Sequence, residues 1–131
     1  MRPTVQVSRI KPLWPVWLFR ACATVSFVLL FDQAIFAGQF LSGTFGALHT
    51  HRENATIAGL SVFVLAVAAI LLRWPGRRAW WPLLGGLAMF GLIAGQIAAG
   101  FSRNLSLHVP LGVAIIVLSG GIALWGWGRL R

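Results

Sequence analysis

Charge is the first thing this sequence lacks. Only 10% of its 131 residues are Asp, Glu, Lys or Arg, and Asp32 and Glu53 supply all of the acidity. A soluble domain carries about a quarter of its residues charged, so water is not the solvent this chain is built for. The hydrophobic share of 58% and a mean hydropathy of +0.82 say the same from the other side. Cysteine is nearly absent as well. Cys22 alone allows no disulfide framework and no CxxC metal site, and inside an apolar run it reads as a small packing residue. Histidine is scarce too, with His49, His51 and His108. Zinc is disfavoured, because a structural site takes four ligands and a catalytic one three, and only two of these histidines pair.

What the chain has in quantity is apolar run. Four stretches, about 16–38, 51–72, 80–100 and 107–126, are each long enough to cross a hydrocarbon core of about 30 Å. The loops between them are short. The expected fold is all-α, an integral membrane four-helix up-down bundle forming a single membrane domain over 1–131. The first run follows basic residues, as a secretory signal would, but it continues far past the ~7 to 15 apolar residues of a signal and is read as an uncleaved span.

The positive residues give the orientation. Arg2, Arg9, Lys11, Arg20, Arg73, Arg77, Arg78, Arg129 and Arg131, nine of the eleven, fall on one side of the spans, and Arg52 and Arg103 on the other. Positive residues stay inside, so both termini are expected in the cytoplasm of a protein of the cell (plasma) membrane. Trp14, Trp17, Trp74, Trp80, Trp81, Trp125 and Trp127 all fall on that same side, as an interfacial belt. The net charge of +9 is therefore a rim for anionic lipid headgroups and does not imply nucleic acid.

The chain also repeats itself. Moved along by 57 residues without a gap, His51-Arg52-Glu53-Asn54-Ala55 falls on His108-Val109-Pro110-Leu111-Gly112, Ala37-Gly38-Gln39 on Ala94-Gly95-Gln96, Gly43 on Gly100, Arg20 on Arg77 and Trp17 on Trp74. The reading is a duplicated two-helix unit, about 15–72 and 73–131. Thr50 and Glu53 have the form of a capping box, which makes His51 the first residue of its helix. The positive end of a helix favours neutral imidazole, the form that binds metal. Pro110, in or near the first turn of the fourth span, costs little there and puts His108 at the same outer end.

In an up-down bundle the second and fourth spans run the same way, so the two histidines are expected at equal depth. Ala55 and Gly112, one turn on, leave room beneath each ring. Two neutral imidazoles facing each other supply both axial positions of a b-type haem. Arg52 and Arg103, in the outer loops, are placed to pair with its propionates. Gln39 and Gln96, each twelve residues before its histidine, are read in two ways. They either fix ligand orientation by bonding the other imidazole nitrogen or a cofactor carboxylate, or bond across helices. Asp32 lies inside the first span, where a carboxylate marks function unless Asn54, Thr56 or Gln96 simply hydrogen-bonds it. His49 reads as an accessible loop residue. In the third span Gly91 and Gly95 form a small-xxx-small step for close helix approach, serving packing or room for a flat cofactor.

His51-Arg52-x-x-Ala55 resembles the His-Arg-x-x-Ala motif of the haem A synthase family, whose membrane domain is two four-helix halves, each with a histidine pair able to hold a haem. The chain is about the size of one half, and is also similar to small four-helix bacterial membrane proteins. The second copy lacks arginine after its histidine, and nothing matches the family's second half or its catalytic glutamate loop, so what the resemblance implies is an axial role for His51 and His108. Three functions stay open: a haem-binding membrane protein relaying electrons to a redox partner, a cofactor-free accessory subunit of a larger membrane complex, and a quinone- or proton-handling protein using Asp32 and the glutamines. No residue stands out as catalytic, and the chain is read as not an enzyme by itself.

Overall fold

A computed structural model describes residues 11–130, which leaves Arg2, Arg9 and Arg131 outside the described residues. The four expected spans are four α-helices: α1 Trp14–Leu41, α2 Ala47–Arg73, α3 Trp81–Phe101 and α4 Leu105–Arg129. All four are long and apolar enough to cross a membrane. The shortest, α3, has 21 residues, which at about 1.5 Å each just covers a hydrocarbon core of about 30 Å. The chain is a multi-pass membrane bundle whose outward side chains, among them Val25, Leu60, Leu87, Val117 and Leu124, meet lipid. Each helix packs on its neighbours in sequence, and α1 closes the ring against α4. Across the diagonals α1 faces α3, and α2 faces α4.

The helices run a little past the expected apolar stretches at most of their ends, and the largest difference is at α2. It begins at Ala47, not at His51, and no side chain caps it. The N–H groups of Ala47, Leu48 and His49 donate instead to the carbonyls of Thr44, Phe45 and Gly46 at 2.9, 3.2 and 3.1 Å, so the first turn has no need of a side-chain acceptor. The capping box does not form. Glu53 lies 3.4 Å from His49 in an exposed pair, and His51 moves into the second turn. Pro110 is likewise the sixth residue of α4, where its missing N–H leaves the carbonyl of Ser106 without a helical donor. Ser106 is exposed, so solvent can take that place. Asn104 caps α4 by accepting from the Leu107 N–H at 3.3 Å.

The two connections at this end of the bundle close α1 and α3 in the same way. Thr44 N–H reaches back to Gln39 O (3.0 Å) and Gly43 N–H to Phe40 O (3.1 Å), while Asn104 N–H reaches Ala99 O (2.9 Å) and Arg103 N–H reaches Gly100 O (3.1 Å). Such an ending turns on one left-handed residue. It is Gly43 at φ 96° in the first loop and Arg103 at φ 56° in the second. A side chain in that conformation costs roughly 1 kcal/mol, so Arg103 sits where glycine is cheaper.

Inside the bundle, glycines admit larger neighbours. A Cβ on Gly86 of α3 would stand 3.2 Å from the Ala66 Cα of α2, and on α4 Cβ atoms at Gly120 and Gly126 would meet the rings of Phe27 and Phe19 at 3.1 and 3.2 Å. Helices in lipid associate through such close contact. The Gly91–Gly95 step is not one of these contacts, because a Cβ at either position meets nothing within 4 Å. Gly86→Ala, which must part α2 from α3, is expected to lower stability by about 1–3 kcal/mol in a denaturant titration in detergent, whereas Gly91→Ala leaves it unchanged.

Buried positions recur along the chain. Phe19, Ala23, Ser26 and Leu30 of α1 match Pro82, Gly86, Met89 and Ile93 of α3 at a spacing of 63 residues. Ala58, Leu65, Ala66 and Ala69 of α2 match Ile115, Ile122, Ala123 and Gly126 of α4 at 57. The first and third helices need the larger spacing because α1 runs further past the matched positions and its loop is longer.

All seven tryptophans lie at one end with Lys11, Arg20, Arg73, Arg77, Arg78 and Arg129, and Arg52 and Arg103 at the other. The belt is not uniform. Trp125 turns inward, its ring centre 4.4 Å from that of Trp81 and 6.2 Å from that of Phe19. Arg20 does more than reach for the interface. Its guanidinium lies 4.9 and 5.0 Å from the ring centres of Trp17 and Trp127, its Nε donates to Gly126 O at 3.0 Å, and its Nη2 donates to Leu130 O.

Candidate functional site: a histidine pair across the bundle

At the end opposite the tryptophans, the bundle brings His51 and His108 together. His51 is the fifth residue of α2 and His108 the fourth of α4, so the two lie within about one helical rise of equal depth. Their helices are diagonal partners, and their ring centres are 6.1 Å apart with planes crossing at 65°.

Each ring is tied to the helix before its own. His51 Nδ1 lies 3.1 Å from Gln33 O on α1, and His108 Nδ1 lies 2.9 Å from Gln96 O on α3. A carbonyl oxygen only accepts, so Nδ1 carries the hydrogen in both rings. Nε2 is then the nitrogen left with a lone pair in a neutral imidazole. Hydrogen-bonding one imidazole nitrogen to the protein is how metal-ligating histidines have their tautomer and orientation fixed. One turn further in, Asn54 Nδ2 donates to Leu29 O at 2.9 Å, so α2 rests two polar rungs on α1, at Gln33 and Leu29. On α4 the position matching Asn54 is Leu111, which is apolar, and that pair of helices keeps one rung.

The glutamines act through their backbones. Gln96 is at its expected place, but its carbonyl holds the histidine and not its amide. Gln39 does not reach His51. It is exposed at the end of α1, where its carbonyl accepts from Thr44. Gln33 takes the role, eighteen residues before its histidine where Gln96 is twelve before its own. The ungapped repeat missed it because it gives both loops one length. The signal that finds it is the buried face of α1 and α3, whose 63-residue spacing sets Gln33 against Gln96. Two buried atoms here have no partner, Gln33 Nε2 and Gln96 Oε1.

Gly112 and Ala55 lie one turn below their histidines. The space at Gly112 is taken by Gln96, whose Nε2 would be 2.8 Å from a Cβ there. Ala55 is half-buried. A further glycine, unremarked in the sequence for this role, is Gly100 of α3, where a Cβ would meet His108 Cε1 at 2.9 Å. Arg52 and Arg103 are exposed at this end, and no ion pair engages them among the described residues. Asp32 is half-buried beside Gln33. None of Asn54, Thr56 or Gln96 bonds it, since Asn54 is turned to Leu29 O. His49 stands apart in its exposed pair with Glu53.

A metal held between two imidazoles at about 2 Å from each would set their ring centres about 6 Å apart, and the separation here is 6.1 Å. Among the described residues no group of three or more His, Cys, Asp or Glu gathers as a metal site. What the arrangement offers, among the described residues, is two imidazoles hydrogen-bonded only through Nδ1 and two arginines without an ion pair at the same end. Compared with known proteins, the chain matches no family model, and no curated protein or solved structure is found to be similar to it.

Proposed function

We propose that the chain is a duplicated two-helix unit that holds one b-type haem between His51 and His108 and relays electrons at the outer side of the plasma membrane, with both termini in the cytoplasm. The observation that carries this reading is the pair itself: two histidines on diagonal helices, 6.1 Å between ring centres, each with Nδ1 committed to a backbone carbonyl. The buried positions recurring in α1/α3 and α2/α4 support the duplication. The charge asymmetry of the sequence supports the orientation, which a reporter fused after Arg131 tests by being active only inside the cell.

A b-type haem, when bound, supplies one-electron transfer; the chain supplies its seat. His51 and His108 would bind it through Nε2. The carbonyls of Gln33 and Gln96 hold the Nδ1 hydrogens and so fix both rings. Arg52 and Arg103 would pair with its propionates. The unpartnered Gln33 Nε2 is a donor buried without an acceptor, a polar group that a bound carboxylate would satisfy. Alongside the resemblance to one half of the haem A synthase membrane domain, this confines the likeness to axial ligation.

The test is a reduced-minus-oxidised absorption spectrum of the purified protein supplied with haem. Low-spin bands are expected. A protein that takes up no haem is instead the cofactor-free accessory subunit of a larger complex.

A further inference from the structure

The two imidazoles are not seated alike, and the difference lies in a glycine. On α3, Gln96 O takes the Nδ1 hydrogen of His108 at 2.9 Å, and one turn further on Gly100 lies so close to the ring that a Cβ would stand 2.9 Å from Cε1 and 3.1 Å from Nδ1. A hydrogen bond alone leaves a ring free to turn about it. Here the ring fills the space that a side chain at position 100 would take, so its plane rests on the hydrogen bond and on that side chain's being absent. The plane so fixed crosses that of His51 at 65°. Resting on the haem reading above, the geometry points to Gly100 as a positioning residue that holds the imidazole of His108 crossed to that of His51, so that axial ligation is by crossed and not parallel rings.

Crossing has an electronic consequence. The arrangement of axial ligands is one of the levers by which a protein tunes haem iron. Parallel imidazoles act on the same iron d orbital and split it from its neighbour, whereas crossed imidazoles act on one orbital each and leave the two close in energy. In the ferric low-spin state the first arrangement gives a rhombic EPR signal with three resolved g values. The second gives one strongly anisotropic signal with a large gmax.

The wild-type protein loaded with ferric haem is expected to show the large-gmax signal. Gly100→Ala, whose methyl group must push the ring, is expected to shift that signal toward the rhombic form while the low-spin absorption bands remain. Gly91→Ala, an outward position on the same helix, leaves it unmoved. Nitrogen NMR of the histidine-labelled, haem-free protein gives a second reading: a protonated Nδ1 at His108 whose resonance moves in Gly100→Ala and not in Gly91→Ala. A rhombic wild-type signal, or a Gly100→Ala protein identical to wild type by both readings, overturns the role of Gly100 and leaves ligation by the histidines standing. The wild-type signal decides even where the variant cannot be prepared. A wild type that binds no haem overturns the ligation and the crossing together.

Discussion

Arg20→Ala is expected to lower the stability of the bundle by about 4 kcal/mol, the sum of two lost hydrogen bonds from a charged donor and two cation–π contacts. The residue stands where three structural tasks meet. Its Nε and Nη2 fill the carbonyls of Gly126 and Leu130 at the end of α4, the end of a helix at which positive charge is favourable. Its guanidinium lies over Trp17 of its own helix and Trp127 of α4. Its own carbonyl accepts from Thr24 Oγ1 at 2.9 Å, and Thr24 Oγ1 in turn accepts from Trp127 Nε1 at 3.0 Å. Arg20→Lys keeps the charge but loses the planar fork, so it should fall between wild type and Arg20→Ala in a detergent unfolding titration. Equal stability of all three proteins would show that Arg20 adds nothing to an α1–α4 seam already held by the Thr24–Trp127 hydrogen bond and the Phe19 and Phe27 contacts.

His51→Ala and His108→Ala are each expected to weaken haem binding by about 100-fold or more. Loss of a residue that merely orients a ligand already costs 10–100-fold, and these variants would remove one of the two proposed ligands itself. Any haem retained should lose its low-spin spectrum, because one axial position then lacks an imidazole. The double variant should be little worse than either single one, since the two act as a unit. His49→Ala is the internal control. Its ring is exposed and engaged only with Glu53, so its haem affinity and spectrum should equal those of wild type.

The helices were legible in the sequence because lipid asks for one property, a long apolar run, and rewards it without regard to the rest of the fold. The pairing of His51 with His108 was legible for a related reason: two histidines at matching depth on helices of the same direction can meet across a bundle. What escaped was set by features that composition does not carry. Gln33 was hidden by the difference between the two repeat spacings, 63 residues for the buried face of α1 and α3 against 57 for that of α2 and α4. Gly100 was visible as one of several glycines in α3, yet it is the His108 ring, lying where a side chain at position 100 would stand, that separates it from the outward-facing Gly91 and Gly95. The capping box at Thr50 and Glu53 failed because the turn at Thr44–Gly46 already offers three carbonyls to the first N–H groups of α2. Local pattern was right about the residues' chemistry and blind to the backbone that had satisfied it first.

Whether the two histidines of one chain share one haem is read most directly from a haem titration of the purified protein in detergent. Saturation is expected at one haem per chain, with low-spin absorption growing in proportion throughout. Saturation at one haem per two chains would place the two ligands on different molecules, and an absence of saturable binding would leave the histidine pair without a haem to ligate; either result would overturn the proposed ligation.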